Sequence, residues 1–388
     1  MARVLSGLDV VARRLSHLLR GRRVGLLCHQ ASMTREREHA AHAIGRLRGA
    51  RLTALFAPEH GLAGAAQDHA PVASGRAGAL PVHSLYGPSL EPDARLLRNL
   101  DVLVVDLQDV GARYYTFVWT MALAMRACAE AGVAVAVLDR PNPLGGERLE
   151  GNLPDPRFAS FVGLYPLPAR HGMTIGELAA YLNETHGLGC DLTVVPMPGW
   201  RRSMLWEDTG LPWVQPSPNM PTPDTARVYP GGCLIEGTNL SEGRGTTRPF
   251  ELVGAPFLDA ERLAEALNRR RLTGAHFRAA AFQPTFHKWK GRACGGVQVH
   301  VTDARRFRPV IAYLALIIEA RRLAPRRFQW RRPPYEFETR RLPIDLLCGG
   351  EDIRKAVERG RPLARVEASW RPGLARFARA RRPYLLYS

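Results

Sequence analysis

The first half of the chain alternates short apolar runs with longer segments whose apolar residues recur at helical spacing. Five apolar runs predict β-strands, at 23–28, 51–56, 101–107, 133–138 and 191–196. The run "DVLVVDL" at 101–107 is apolar without alternation, which is typical of a strand buried on both faces. Helical patterns lie between the runs, at 35–48, 115–132 and 174–186. The last of these opens with Thr174 and Glu177 in a capping-box pattern. Strands separated by helices predict a parallel sheet of the α/β class.

The pattern changes after about residue 228. The segment "MPTPDTARVYPGG" is rich in proline and glycine and predicts a junction. Beyond it, helices are predicted near 259–271 and 308–323, and a strand at 295–303 alternates apolar with polar residues. We therefore predict two domains, an α/β domain at 1–228 and a smaller α+β domain at 229–388.

Polar side chains follow four of the predicted strands. Ligands of open parallel sheets bind at the carboxyl ends of the strands, so these positions are candidates for a binding cleft. The strands end in turn at His29, Gln30 and Ser32, at Glu59 and His60, at Asp109, Arg113 and Tyr114, and at Asp139, Arg140 and Asn142. Any one of these loops could be an ordinary polar turn. Four of them at one edge of a sheet favour a cleft.

A second polar region is the glycine-rich segment at 217–256, which is either a long surface linker or one wall of an interdomain cleft. Its polar residues include Asn219, Glu236, Asn239, Glu242, Arg244 and Thr246. Arg170 and His171 precede the helix that Thr174 opens. They either face a ligand at the helix N-terminus or are ordinary neighbours of the cap.

The chain is basic, with a formal charge of +18 over 388 residues. Its arginines are scattered, whereas a nucleic-acid binder usually concentrates charge in a patch or stripe. We therefore do not expect nucleic acid as a partner. The run "RRLAPRRFQWRRPP" interleaves aromatic residues with arginines, so contact with a polyanion stays open as an alternative to a solvated basic surface.

Several motifs that would indicate a cofactor or a metal are missing from the sequence. No GxGxxG follows the first strand, and GxxxxGK[ST], GxSxG, HExxH and CxxC do not occur. We expect no cofactor and no metal, which leaves carboxylate chemistry assisted by histidine and arginine. The six cysteines are widely spaced, mostly in apolar stretches, and predict reduced core residues. No apolar run has the length of a signal peptide or a membrane span, so we expect a cytoplasmic protein without a membrane partner.

Seven strings resemble a bacterial family of exo-acting β-N-acetylmuramidases, glycoside hydrolases of peptidoglycan turnover that were long described as a family of unknown function. The strings are "APEHGLAG", "VVDLQDVGARYYTF", "LDRPNPLGG", "LEGNLPDPRFASFVGLYPLPARHGMTIGELA", "SPNMPTPDTARVYPG", "IEGTNLSEGRGTTRPFELVGAP" and "RLPIDLLCG". The resemblance covers about residues 20–350. It implies a Rossmann-like N-terminal domain, a smaller C-terminal domain and an active-site cleft between them. The implied reaction releases N-acetylmuramic acid from the non-reducing end of peptidoglycan-derived muramyl saccharides.

The resemblance also points to a catalytic residue, because the glutamate of the family's "PEHG" string is favoured for that role and Glu59 stands there. Two features depart from the family. Many relatives look exported, whereas this chain shows no signal peptide, so a cytoplasmic copy would recycle imported wall fragments. The string "HQAS" at 29–32 stands where relatives usually carry an asparagine and a Thr-Gly.

These considerations define the candidate site. The candidate catalytic residues are Glu59, His60, Asp109, Glu236 and Glu242. The candidate substrate-binding residues are Arg113, Tyr114, Asp139, Arg140, Asn142, Arg170, His171, Asn219, Asn239, Arg244 and Thr246. We expect Glu59, Asp109, Asp139, Asn142 and His171 to converge on one cleft, with residues 236–247 as its facing wall.

Glycoside hydrolysis usually needs an acid for the leaving oxygen and a second group beneath the anomeric carbon. Glu59 is assigned as acid/base, with His60 or His171 contacting it or the sugar. The second group is left open among Asp109, Asp139, Glu236, Glu242 and the substrate's own acetamido group. An arginine fork would suit the lactyl carboxylate of muramic acid. Arg113, Arg140, Arg170 and Arg244 are the candidates for that fork, unless they form ion pairs with Asp106, Asp109 or Glu242.

Two other functions stay open from the sequence. One is a non-catalytic protein that binds wall fragments or another polyanion. The other is a different small-carbohydrate hydrolase on the same scaffold, because a fold does not fix chemistry. The stereochemical course and the oligomeric state are also left open.

Overall fold

A computed structural model describes residues 4–68 and 70–388. Within those residues, ten strands form two sheets. The strands are β1 (Arg23–Cys28), β2 (Arg51–Ala57), β3 (Gly75–Ala77), β4 (Leu80–Ser84), β5 (Val102–Asp106), β6 (Ala134–Leu138), β7 (Leu192–Val195), β8 (Leu252–Ala255), β9 (Ala275–Phe282) and β10 (Cys294–Val301). The larger sheet has the order β3-β4-β2-β1-β5-β6-β7 and is parallel except for β3, which pairs antiparallel with β4. The smaller sheet is antiparallel, in the order β8-β10-β9.

Helices flank both sheets. The α-helices are α1 (Gly7–Arg13), α2 (Ala40–Gly45), α3 (Ala94–Leu97), α4 (Phe117–Ala131), α5 (Ile175–Thr185), α6 (Trp206–Thr209), α7 (Pro223–Gly232), α8 (Ala260–Arg269), α9 (Pro309–Leu323), α10 (Pro343–Cys348), α11 (Asp352–Glu358) and α12 (Leu363–Arg381). Short 3₁₀ turns lie at Ser16–Leu19, Pro156–Phe158, Cys233–Gly237 and Arg382–Tyr384. None of the described helices is both long enough and apolar enough to cross a membrane.

The predicted fold class, a parallel-sheet domain with a smaller α+β region, is confirmed. Strand β5 is buried on both faces, as its unbroken apolar run predicts. Leu103 and Val105 belong to the core that contains α4, whereas Val102 and Val104 belong to the core that contains α1 and α2. The capping box of α5 is also present. The side chain of Thr174 accepts from the Glu177 N–H, and Glu177 accepts from the Thr174 N–H.

Three local predictions differ from the structure. The β3–β4 hairpin at the sheet edge was missed because its strands are short and only partly buried. The helix predicted at 35–48 is shorter, since His39 adopts an extended backbone and caps α2. The proline-rich segment predicted as a junction is helical: Pro223 occupies the first turn of α7, where its missing N–H is tolerated, and Thr222 caps it. A domain boundary at 228, which falls inside this helix, stays a prediction.

The strand order reverses between β1 and β5, the place where open α/β sheets usually bind a ligand. In this protein, side chains of the chain itself fill the position between β1 and β5. The Gln108 N–H donates to Nε2 of His29 at 3.0 Å, and the Ser32 hydroxyl donates to the Asp106 carbonyl. Burial and the nearby Arg140 lower the pKa of His29, which keeps its ring neutral and able to accept. The open pocket is lined by residues that follow β2 and β5, together with residues from the second half of the chain.

Candidate active site

A pocket lies between the segments that follow β2 and β5 and segments from the second half of the chain. It contains about 450 Å³ of open space, counting its mouth. Its lining residues are Glu59, His60, Asp68, Tyr114, Tyr115, Thr116, Val162, Ser217, Asn219, Met220, Tyr229, Glu236, Arg244, Phe250, Tyr335 and Glu336. Both predicted domains therefore contribute to it. Of the sequence candidates, Glu59, His60, Tyr114, Asn219, Glu236 and Arg244 are brought together here.

The turn after β2 aims Glu59 into this pocket. Pro58 ends the strand, and its carbonyl accepts from the Gly61 N–H at 3.0 Å. His60 has φ 70, a left-handed conformation that is uncommon outside glycine, and its Nδ1 contacts the Ala66 carbonyl at 2.8 Å. Glu59 is 5% exposed. The turn thus presents a buried carboxyl group at the end of a rigid strand.

Thr116 orients that carboxyl group. Thr116 is the N-cap residue of α4, but its side chain does not cap the helix. Its hydroxyl instead donates to Oε2 of Glu59 at 2.7 Å. A threonine at the N-cap usually accepts a hydrogen bond from a backbone N–H of the first helical turn, whereas Thr116 contacts a carboxyl group of the pocket instead.

Arg244 gathers two further carboxylates on the opposite wall. Gly243 and Gly245, at φ 79 and 77, flank it in a tight loop. Its guanidinium lies 3.1 Å from Asp68 and donates to Glu236 at 2.7 Å. The other oxygen of Glu236 accepts from the Tyr335 hydroxyl at 2.7 Å. Burial disfavours a charged Arg244, but these carboxylates outweigh it and raise its pKa well above the usual value. The guanidinium therefore stays charged.

Glu336 is the fourth carboxyl group of the pocket, together with Glu59, Asp68 and Glu236. Its Oε2 accepts from the Tyr86 hydroxyl at 3.2 Å. Burial, Glu59 and Glu236 raise the pKa of Glu336 well above its usual value. A buried carboxyl group with a raised pKa therefore lies among other carboxyl groups, an arrangement common at functional sites.

Glu242 does not line the pocket, although it was a catalytic candidate. Its carboxylate lies 2.8 Å from Lys288 Nζ and 3.0 Å from His287 Nδ1. Burial opposes its ionisation, but Lys288, His287 and Arg244 together hold the pKa of Glu242 well below its usual range. It is a permanent anion that anchors the loop behind Arg244, which does not suit a proton donor.

The expectation that Asp139 and Asn142 face the cleft is wrong. Asp139 accepts from Thr174, Tyr387 and the Gly176 N–H at 2.5–2.8 Å, so its oxygens are already occupied. Asn142 donates to the Met173 carbonyl at 2.9 Å and accepts from the Leu144 N–H. Both residues connect loops inside the first half of the chain.

Three of the four candidate arginines are likewise internal. Arg140 forms a buried two-point ion pair with Asp106 at 2.5 and 2.8 Å, the structural alternative that the sequence left open. Arg113 donates to the carbonyls of Asn152, Leu167 and Leu347, each at 2.7 Å. They are therefore not placed to receive a substrate carboxylate.

Arg170 is the third internal arginine. It donates to the Leu144 carbonyl at 2.5 Å, and burial lowers its pKa to about 10. Among the described residues that line the pocket, Arg244 is the one arginine or lysine. Of the four candidate arginines, Arg244 is therefore the one that lines the pocket.

The remaining candidates do not line the pocket. Asp109 accepts from the Gly111 N–H at 2.7 Å and lies 3.3 Å from Nε2 of His171, whose Nδ1 accepts from the Met173 N–H. Both are buried, and neither lines the pocket. Asn239 exchanges hydrogen bonds with the segment at 327–329. The Thr246 hydroxyl donates to the Gly243 carbonyl of the same turn at 2.6 Å.

Several lining residues escaped sequence reasoning. Asp68 and Thr116 stand within strings already noted, but neither position follows a strand directly. Tyr335 and Glu336 stand in "RRPPYEFETRR", where the arginines suggested a solvated surface. The aromatic residues on both sides of Glu336 were the available signal that this glutamate is enclosed.

The donor set does not suggest a metal centre. Across residues 4–68 and 70–388, no three His, Cys, Asp or Glu side chains are grouped so that they could hold a metal ion. The pocket offers carboxyl, hydroxyl and guanidinium groups, a combination that suits acid/base chemistry on a polar, uncharged bond such as a glycoside.

Comparisons with known proteins agree with this geometry. Residues 24–224 match the N-terminal model of the exo-β-N-acetylmuramidase NamZ family, and residues 227–387 match its C-terminal model. The chain is 44% identical over 387 residues to the peptidoglycan β-N-acetylmuramidase NamZ of Bacillus subtilis, covering 99% of this chain and 92% of that protein.

Two solved structures from Bacteroides fragilis, both described as DUF1343 family proteins, share the fold. One is 33% identical with a TM-score of 0.90, and covers 100% of this chain and 99% of that one. The other is 28% identical with a TM-score of 0.76, and covers 99% of both chains. The pocket, the two family models and the full-length relative lead to one assignment: the chain belongs to the exo-β-N-acetylmuramidase NamZ family.

Proposed function

We propose that this chain is a glycoside hydrolase that releases N-acetylmuramic acid from the non-reducing end of peptidoglycan-derived fragments. The observation that carries the proposal is the buried carboxyl cluster around Glu59, in a chain that resembles a named muramidase over its whole length. The pocket is enclosed by residues from both halves of the chain, which suits a terminal sugar.

Glu59 is proposed as an essential catalytic carboxyl group. It is buried, oriented by Thr116 and placed at the end of a strand, so it can be held in one position relative to a bound sugar. Glu236 is less suited, because Arg244 and Tyr335 occupy both of its oxygens. His60, whose Nδ1 contacts a backbone carbonyl, presents its remaining ring edge as a sugar contact.

Recognition of the lactyl group is assigned to Arg244 and to the Asn219 amide. Asn219 lines the pocket and donates to Gln67 at 2.9 Å, which leaves further donor capacity on its amide. A muramide would place its carboxylate against Arg244 in partial exchange for Asp68. A glucosaminide lacks the lactyl group and would leave this contact unmade.

A pair of chromogenic substrates tests the proposal. We expect a 4-nitrophenyl β-muramide to be cleaved with a kcat/KM at least about 10-fold above that of the matching β-glucosaminide, since an unmade polar contact costs roughly 1–3 kcal/mol. Equal rates on the two substrates would favour a different carbohydrate hydrolase. Tight muramide binding without turnover would favour a binding protein.

We also propose that the chain acts in the cytoplasm, on imported wall fragments. All six cysteines are free and buried, which fits a reducing compartment. Fractionation of cells that carry the untagged protein tests this, because recovery with the extracellular or periplasmic fraction would contradict it.

A further inference from the structure

The segment that carries Glu336 forms a tight hairpin turn from residues that do not favour one. Tyr335 and Glu338 exchange backbone hydrogen bonds at 2.8 and 2.9 Å. Glu336 and Phe337, the two residues between them, have φ 45 and 64. Positive φ at both central positions characterises type I′ turns, which favour asparagine, aspartate and glycine there. Glutamate and phenylalanine are strained in this conformation, and such strain is found mostly where function requires it.

The second of these residues is also unusually exposed. Within the part of the chain that the structure describes, Phe337 is the most exposed large hydrophobic residue, with 59% of its surface open to water. A single exposed apolar residue is ordinary on a protein surface, but a strained backbone beneath it is not. Glycine or asparagine would relieve the strain and remove the exposed ring. The stability of the turn therefore does not account for phenylalanine at this position.

Two ring contacts place Phe337 at the edge of the pocket. The ring packs against Tyr86 and Phe161 at centroid distances of 5.5 and 6.2 Å. The Tyr86 hydroxyl donates to Glu336, which lines the pocket, and Phe161 directly precedes Val162, which also lines it. Phe337 itself does not line the pocket. The ring therefore lies beside the pocket, held by two other rings, with more than half of its surface open.

The edge of the pocket is where the leaving part of an exo-acting hydrolase's substrate must lie. The pocket encloses the terminal sugar with buried polar side chains from both halves of the chain, so the rest of the saccharide has to extend outward. A β-linked pyranose has faces of C–H groups that pack on an aromatic ring while its hydroxyl groups stay in water. An exposed ring at this edge suits such a sugar.

We propose that Phe337 is the platform on which the sugar on the leaving side of the scissile bond packs. This inference rests on the proposed glycosidase function and adds a second sugar subsite beside the same pocket. The ring carries no charge and takes no part in proton transfer. Its contribution therefore lies in binding the saccharide, and its loss should appear in KM rather than in kcat.

Kinetics on the muramyl–glucosaminyl disaccharide, with N-acetylmuramic acid as a competitive inhibitor, test this subsite. We expect Phe337→Gly to raise KM for the disaccharide about 3–10-fold, the range for a lost aromatic contact, with kcat near wild type. The inhibition constant of N-acetylmuramic acid, which fills the pocket alone, should not change. Phe337→Trp restores a ring and should keep KM near the wild-type value. Leu386→Ala removes the other exposed large hydrophobic side chain and is the matched control, with no expected effect on either constant.

Thermal melts of the same variants separate a sugar platform from a structural role. Glycine accepts positive φ without strain, which offsets the lost ring contacts, so Phe337→Gly should have a Tm close to that of wild type. If this variant fails to fold, Phe337→Leu keeps an apolar side chain without a ring and should show the same rise in KM.

Two results would overturn the subsite. One is an unchanged KM for the disaccharide in the folded variant without the ring. The other is an equal rise in KM and in the inhibition constant of N-acetylmuramic acid, which would mean that Phe337 shapes the pocket itself. Absence of wild-type turnover on both the disaccharide and the 4-nitrophenyl muramide would instead defeat the proposed function, and the subsite with it.

Discussion

Two strand ends of the larger sheet look alike in sequence and differ in the folded protein. Glu59 follows β2 and Asp139 follows β6, each after a buried apolar run. Asp139 is saturated by donors from the start of α5 and from Tyr387, near the C-terminus. Glu59 accepts from Thr116 and lines a cavity that holds other carboxyl groups.

The difference shows that position at a strand end does not by itself make a site. What matters is whether the rest of the fold encloses the carboxylate within a polar network or leaves it lining a cavity. Asp139 shares its region with the Arg140–Asp106 ion pair, so that end of the sheet is a closed polar network. The end near Glu59 leaves carboxyl groups facing a cavity, which is the condition for chemistry on a ligand.

Replacing Glu59 and Asp139 with the corresponding amides should give the largest difference between the two strand ends. We predict that Glu59→Gln lowers kcat about 10²–10⁴-fold with little change in Tm, because the transferable proton site is lost while shape is kept. Asp139→Asn should lower Tm but leave turnover per folded molecule near wild type, because the amide cannot accept all the same hydrogen bonds. Kinetics and thermal melts on the same preparations measure both effects. An Asp139→Asn variant with an unchanged Tm and a strongly lowered kcat would contradict this distinction between the two strand ends.

Removing the Arg140 cation from the polar network should have the next largest effect, a loss of stability. Arg140→Met leaves Asp106 buried without its partner, and we predict a loss of about 3–5 kcal/mol in the free energy of unfolding. Denaturant titration checks this. Arg157→Met, which removes the exposed pair with Asp155, serves as the control and should be near neutral. Equal stability of the two variants would show that the network is not structural.

The smallest predicted effect is a pH dependence of stability that belongs to Asp139. Burial raises its pKa to about 7, so the folded protein binds this proton more tightly than the unfolded chain does. The free energy of unfolding should therefore rise as pH falls from 8 towards 5, by about 2–3 kcal/mol from this group. Chemical denaturation across that range should show a shallower dependence in Asp139→Asn than in wild type. Identical slopes would indicate that Asp139 is ionised throughout.

Local rules predicted much of the fold. The unbroken apolar run at β5 and the Thr174–Glu177 capping box depend on near neighbours in sequence, and both are present. Glu59 was also accessible, because a strand end followed by a glycine turn is a local pattern. The resemblance in "PEHG" pointed to the same residue.

The features that the sequence did not predict depend on contacts between residues that are far apart in the chain. Asp139 is satisfied by Tyr387, 248 positions away, and Arg113 by the Leu347 carbonyl, 234 positions away. No periodicity or spacing reports such contacts. Glu336 was missed for the converse reason, since its arginine-rich surroundings in sequence do not reveal that the side chain turns inward.

A crystal structure with N-acetylmuramic acid bound tests the central claim most directly. We predict that the sugar binds in the pocket that Glu59 lines, with its anomeric carbon near Glu59 and its lactyl carboxylate near Arg244. Asp139 and Asn142 should keep their internal hydrogen bonds unchanged. Sugar bound against Asp139 and Asn142, with the Glu59 pocket empty, would contradict it.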